Sequence, residues 1–367
     1  MKVHSWILTI PLVFCAFGLY AADANKEIYG NDDRLDLYEV ADTDIVAWSK
    51  SVCVFIPTGY LSQREDGKYA VDVAAAAAHA WPLCDDQRFS SQPMPGTCTG
   101  FLIGEDLIAS AGHCVIEKNE GPYADLSGFY IVFGFDMLDE DTAITVFDSS
   151  QVYTIKGVVS AALSLSKDED YSLLRLDRPV EIADAEPLEL RASGAIQNGD
   201  PVGIIGHPLG LPKKAAFGAD TVVYPVPNDS EDPATNTFFT NFDGSGGNSG
   251  SPVFNQTTGL VEGIYVYSFV DDTIRVNGEC DQLNVVANDA AAQGVFKITS
   301  ILTQVDNALA ATGEGEVFDN VDDDLLIPFL GCGSTPTTRS SGDGLFLCAA
   351  LVFVWATRAT TRQVRRQ

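Results

Sequence analysis

Between residues 51 and 272 the chain is a succession of short β-favouring runs broken by Gly, Pro, Asn and Asp. Examples are residues 130–135, 152–159, 171–176, 201–206, 221–226, 237–242 and 259–270. A parallel sheet would need a helical crossover between successive strands, and few helical patterns are visible here. Closed antiparallel barrels suit the pattern better. Two helices stand out against it. Residues 71–81 are alanine-rich, and alanine has the strongest helix propensity. Near the end, Ile298, Ile301, Leu302, Val305 and Leu309 recur at helical spacing, with Gly313 as a stop. The chain has 367 residues, 46% of them apolar, enough for a sizeable core.

The formal net charge is −29. That argues against nucleic-acid binding, which needs a basic face, and fits a self-repelling, soluble surface. Lys2 precedes an apolar run over 6–20, followed by Ala21-Ala22-Asp23-Ala24, so residues 1–22 read as a secretory signal. Residues 23–45 read as an N-terminal segment or propeptide, 46–312 as the main domain, and 313–330 as an acidic linker. Beyond lie Gly331-Cys332-Gly333, a polar spacer, an apolar stretch over 345–356, and Arg358, Arg362, Arg365 and Arg366. Basic residues after an apolar stretch read as a stop-transfer signal. The layout resembles bacterial sorting tails of the MYXO-CTERM type, in which a Gly-Cys motif marks the processing site. That resemblance implies sorting machinery as a partner and a secreted or surface-anchored destination. Setting aside Cys15, Cys332 and Cys348 leaves Cys53, Cys84, Cys98, Cys114 and Cys280. An exported domain can form disulfides, and an odd number leaves one thiol over.

Chemistry concentrates in "FDGSGGNSGSPVFN", which begins at Phe242 and sets Ser249 among glycines. A serine hydroxyl needs a base to take its proton, normally an imidazole. His4 leaves with the signal, so the candidates are His79, His113 and His207, all preceding Ser249. An α/β-hydrolase runs Ser, acid, His, and its elbow needs Gly where this chain has Ser251. That class is excluded. His79 lies in the alanine-rich helix and reads as a solvated or packed side chain, and His207, in Gly-His-Pro-Leu-Gly, reads as a loop former. His113 closes "CTGFLIGEDLIASAGHCV", a hairpin of two apolar strands, and Cys98 reaching back to Cys114 would pin the loop that carries it. The imidazole must be held in one tautomer by a carboxylate. In "KDEDYSLLRL", Asp170 borders the apolar Leu173-Leu174 and faces inward, whereas Asp168 and Glu169 read as a solvated cluster.

Ala-Gly-His-Cys, Asp170-Tyr-Ser-Leu-Leu and Gly-Asn-Ser-Gly-Ser-Pro, in that order, resemble a chymotrypsin-fold (trypsin-like) serine endopeptidase. The bacterial branch that includes the glutamyl endopeptidases is the most similar, down to "NDDR" at Asn31 and the fifteen residues from Cys98 to His113. The resemblance spans about residues 30–310. It implies an all-β fold of two antiparallel six-stranded β-barrels with a C-terminal helix, the site lying between them. It also implies His113, Asp170 and Ser249 as a catalytic triad, and Gly247 and Ser249 as the oxyanion hole.

In trypsin-like zymogens a new amino terminus pairs with an aspartate just before the nucleophile. Asn248 stands there and cannot form that ion pair. The resemblance implies Asp243, Ser245 and Tyr265 as substrate-binding positions. Glutamyl endopeptidases carry a histidine where this chain has Tyr265, and a tyrosine cannot become cationic. Asp243, six residues before Ser249, has the spacing of the trypsin-like pocket aspartate, which would favour cleavage after Arg or Lys; the other reading is that it only shapes the turn. Protein or peptide substrates and a monomer are expected, with neither cofactor nor catalytic metal, since His-Glu-x-x-His and paired Cys-x-x-Cys are missing. Two rival readings are a catalytically inactive, protease-like binding protein at the cell surface and a cysteine-based hydrolase.

Overall fold

The computed structural model describes residues 28–78, 80–117, 121–122, 126–164, 166–224, 235–268, 273–276, 279–289, 293–311 and 318–321. The signal segment, His79, and the tail with its Gly-Cys-Gly motif and apolar stretch lie outside the described residues.

The first barrel contains the strands Val52–Pro57, Cys98–Leu102, Leu107–Ser110, Phe129–Phe133 and Glu169–Leu176. A sixth strand bends at Thr154 and closes the ring. Its first part, Val152–Tyr153, pairs with Phe129–Phe133, and its second, Ile155–Ser164, pairs with Glu169–Leu176. Register shifts at Ile155/Gly157 and Val158/Ser160 supply the extra twist that lets one strand serve both edges.

The second barrel follows the same plan. Val223–Tyr224, Thr237–Thr240, Gln293–Lys297, Val261–Ser268, Pro252–Asn255 and Val202–Gly206 pair in that order. Val202–Gly206 also takes Lys214–Ala216, and a bridge between Pro201 and Val222 joins the two ends of the order. Counting residues 214–224 as one bent strand gives six. Both expected barrels are therefore present.

Apolar packing explains why the rings hold. In the first barrel Ile108, Ile131 and Leu174 share one face of the sheet and Phe101 and Leu173 the other, and Val202, Phe242, Val253 and Val295 form the core of the second, all fully buried. The last helix belongs to the second barrel in sequence and rests on the first in space. A tight turn, Ile298–Ile301, leads into Leu302–Ala310, which buries Val305 and Ala308. Arg175, on the first barrel, donates to the carbonyls of Ala308 and Ala311 and pairs with Asp106 at 2.5 Å. A cation on the last carbonyls suits the negative end of a helix.

Three stretches take more definite form. The alanine-rich helix covers only Val73–Ala77, capped by Asp72, which accepts from the N–H of Ala75. Only Ala76 is buried in it, so propensity acts without a packed face and the helix stays short. Within the expected linker, Phe318–Val321 pairs in parallel with Ile155–Ser164, covering that strand's open edge. Of residues 23–45, read as an N-terminal segment or propeptide, those from 28 onward pack with the domain. Ile28–Tyr29 pairs with Val285–Val286, Arg34–Asp36 adds a strand beside Lys214–Ala216, and Thr43–Ser49 is a helix.

Candidate active site

His113 sits in the turn Gly112–Cys114, directly after the strand Leu107–Ser110. Gly112 is forced by space: a Cβ there would lie 2.1 Å from the carbonyl oxygen of Ala162. The turn therefore presses onto the Ile155–Ser164/Glu169–Leu176 ladder, where Asp170 lies. Asp170 accepts twice from His113. Its Oδ1 takes the backbone N–H at 3.0 Å and its Oδ2 the ring Nδ1–H at 2.8 Å. The disulfide Cys98–Cys114 pins the turn from the other side, as expected. Cys98, His113 and Cys114 are a close group of ligand-type side chains among the described residues, but the two sulfurs are bonded to each other. Neither can be a thiolate ligand.

Ser249 comes from the second barrel, on the loop between Thr237–Thr240 and Pro252–Asn255. The first barrel holds that loop through Thr99. Its N–H donates to the Ser249 carbonyl at 2.8 Å, and its hydroxyl donates to the Gly247 carbonyl at 2.8 Å. The sulfur of Cys114 lies 3.7 Å from the same Ser249 carbonyl. That is a contact rather than a hydrogen bond, since a disulfide sulfur carries no proton. So the backbone of Ser249 lies against the residue next to His113. Among the described residues the Ser249 hydroxyl makes no hydrogen bond.

Peptide planarity aims two amides. The Gly246 carbonyl accepts from Leu209 N–H, and the Asn248 carbonyl from Ser251 N–H. In a trans peptide the next N–H points opposite to the carbonyl, so the amides of Gly247 and Ser249 point away from those partners. Among the described residues, neither of these amides has a protein acceptor. Gly247 has φ +90°, and a Cβ there would lie 2.5 Å from the His207 carbonyl. No side chain is tolerated at that corner.

The substrate-binding expectations fare differently. Asp243 is 3% exposed, and its carboxylate accepts from the N–H of Tyr29 and of Asp33, each at 2.7 Å. It is engaged by the chain's own backbone, which fits the turn-shaping reading. Burial is the main cause pushing its pKa up to about 7, against the two N–H bonds and Arg34, which lower it. Ser245 is fully buried, and its hydroxyl has no hydrogen-bond partner among the described residues. Tyr265 is 2% exposed and donates its hydroxyl to Gln293 Oε1, while Gln293 Nε2 donates to the Gly244 carbonyl. None of the three presents a solvent-facing polar group.

His207 is a loop former, as expected. Its backbone N–H donates to Thr99 Oγ1 and its ring Nδ1–H to the Leu211 carbonyl. Burial, then Lys213, hold its pKa well below the ordinary value. Asp168 is half-buried and accepts from Thr237 Oγ1, so it is not a solvated neighbour. Thr99 and Gln293 escaped the sequence reading because a side chain bonding a distant carbonyl leaves no spacing signal. The leftover thiol is Cys53, fully buried; Cys84 pairs with Cys280. Burial pushes the Cys53 thiol up to about 12, which leaves it inert.

No curated protein matches the chain. Among solved structures it is similar to a Glu endopeptidase in complex with MPD, at 15% identity over 77% of this chain and 100% of that one, TM-score 0.45. A thermostable serine protease, AL20, from an extremophilic microorganism is similar at 16% identity over 71% and 98%, TM-score 0.43. Human heparin binding protein is similar at 15% identity over 79% and 100%, TM-score 0.45. The hairpin bearing His113, the strand bearing Asp170 and the loop bearing Ser249 all fall within residues 98–264, and that span matches the trypsin-like peptidase domain.

Proposed function

We propose that this protein is an exported serine endopeptidase acting on protein or peptide substrates through an acyl-enzyme at Ser249. The observation that carries the reading is His113 doubly bonded to Asp170, at 3.0 and 2.8 Å, beside the backbone of Ser249. With Nδ1–H given to Asp170, the neutral ring keeps its lone pair on Nε2. Nε2 takes the Ser249 proton as Oγ bonds to the scissile carbonyl carbon and that carbonyl's electron pair moves onto its oxygen. The amides of Gly247 and Ser249 receive the oxyanion. The imidazolium then protonates the leaving nitrogen as the C–N bond breaks. Water repeats the cycle, giving one proton to His113 and its oxygen to the acyl carbon, and Ser249 leaves with the proton. No cofactor enters any step.

Export is part of the same proposal. Its supports are the leader-like residues 1–22 and two disulfides, which form and persist in oxidising compartments. A fluorophosphonate probe should label one peptide of the intact protein, the one containing Ser249, and Ser249→Ala should abolish both labelling and peptide cleavage. The expected fall in kcat is on the order of 10⁶. A wild-type protein that takes no label and cuts no peptide would return the site to a binding role.

A further inference from the structure

The N-terminal residues 28–36 form a strap along the second barrel. Ile28 and Gly30 donate to the Asn284 and Val286 carbonyls, at 2.7 and 2.8 Å. Arg34–Asp36 then pairs with Lys214–Ala216. Between these anchors the strap gives two backbone N–H groups, from Tyr29 and Asp33, to one carboxylate more than 200 residues away, that of Asp243. The anchors are themselves buried. Lys214 Nζ meets Asp36 Oδ1 at 2.6 Å, with both side chains 2% exposed, and Arg34, fully buried, pairs with Asp32 at 2.9 Å.

Asp243 opens the loop that runs through Gly247 to Ser249. The next residue, Gly244, is tied by its carbonyl to Gln293, and Asn248 N–H donates to the Ser245 carbonyl. A displacement at Asp243 therefore passes along a short, bonded loop to the two amides aimed at the oxyanion.

We infer that Asp243 is a positioning residue, binding the N-terminal strap and thereby holding the Gly247 and Ser249 amides in register, rather than a charge that selects basic substrates. The inference deepens the peptidase reading of the site and rests on it. Two oxygens that already accept from two amides have no need of a guanidinium, and a buried carboxylate requires such donors.

The test uses the intact protein and starts from the wild type. Turnover of a peptide series varying only in the residue before the scissile bond should show no more than about a tenfold preference for Arg or Lys over uncharged side chains of similar size. Asp243→Asn presents a donor to one of the strap amides. It should lower kcat by roughly 10- to 100-fold for every member of the series, with KM little changed. Hydrogen exchange should rise together in residues 28–33 and 243–249 of this variant. Wild-type cleavage confined to basic residues, a variant loss confined to them, or exchange rising in the strap alone would each overturn the inference. These outcomes are separate from failure of fluorophosphonate labelling, which would remove the peptidase reading and leave exchange to judge the strap. If Asp243→Asn does not fold, the wild-type series still decides.

Discussion

Asp170 makes two bonds to one residue, and they do different work. The bond to the backbone N–H of His113 places the turn, and the bond to Nδ1–H fixes the tautomer. Asp170→Asn keeps an oxygen for one donor and presents an amide to the other. We expect kcat to fall by about 10⁴ while the melting temperature moves little, checked by steady-state kinetics beside calorimetry. Asp243 yields a pH prediction. Its carboxyl rises from 3.8 to about 7 on folding, chiefly through burial. Between those values the native state holds the proton more tightly than the unfolded chain, so this group's contribution to stability falls as pH rises from about 4 to about 7. Thermal melts of the wild type and Asp243→Asn across that window should show the steeper decline in the wild type. His113 and Asp170 were legible in sequence because an imidazole and a carboxylate beside apolar strands announce chemistry. The partners of Asp243 were not, because a backbone N–H looks the same at every residue.

Among the elements, the hairpin from Cys98 to Ser110 was the most legible, with two apolar runs around a Gly-Glu-Asp turn. The alanine-rich run carries propensity for a longer helix than forms, because propensity shows in the sequence and burial does not. The edge strand Phe318–Val321 was hidden inside an acidic stretch whose composition reads as linker. The turn after the hairpin is tightly packed. Gly112→Ala would drive a methyl to 2.1 Å from the Ala162 carbonyl and 2.9 Å from that of Tyr171. Both are backbone atoms inside a ladder and cannot swing away. We expect destabilisation of roughly 1–3 kcal/mol and a loss of activity larger than the stability change explains, measured by denaturant titration and kinetics on the folded fraction.

Over the whole molecule, barrel closure depends on strands that bend, at Thr154 and between Ala216 and Val222, and no periodicity in the sequence announces a bend. What the sequence did announce was strand content and turn frequency, enough for the class. The Cys84–Cys280 disulfide joins points 196 residues apart, near the strap's partner Val285–Val286. Replacing both cysteines by alanine should cost about 2–5 kcal/mol, read as a lower melting temperature under non-reducing conditions. With a net charge of −29, self-repulsion opposes compaction. Raising salt from about 10 to 150 mM shortens the screening length from about 30 to 8 Å and should raise the melting temperature.

The strap at residues 28–36 is among the first parts of the domain to be synthesised, yet Asp243 and Val285–Val286, which it grips, are made more than two hundred residues later. Its partners emerge in turn, Arg88 and Gln92 first, then Lys214–Ala216, Asp243 and last Val285–Val286. The pairing with Val285–Val286 is therefore the last contact of the strap to become available, and a chain interrupted before residue 285 would keep the grip on Lys214–Ala216 and Asp243 while lacking the pairing of Ile28–Tyr29.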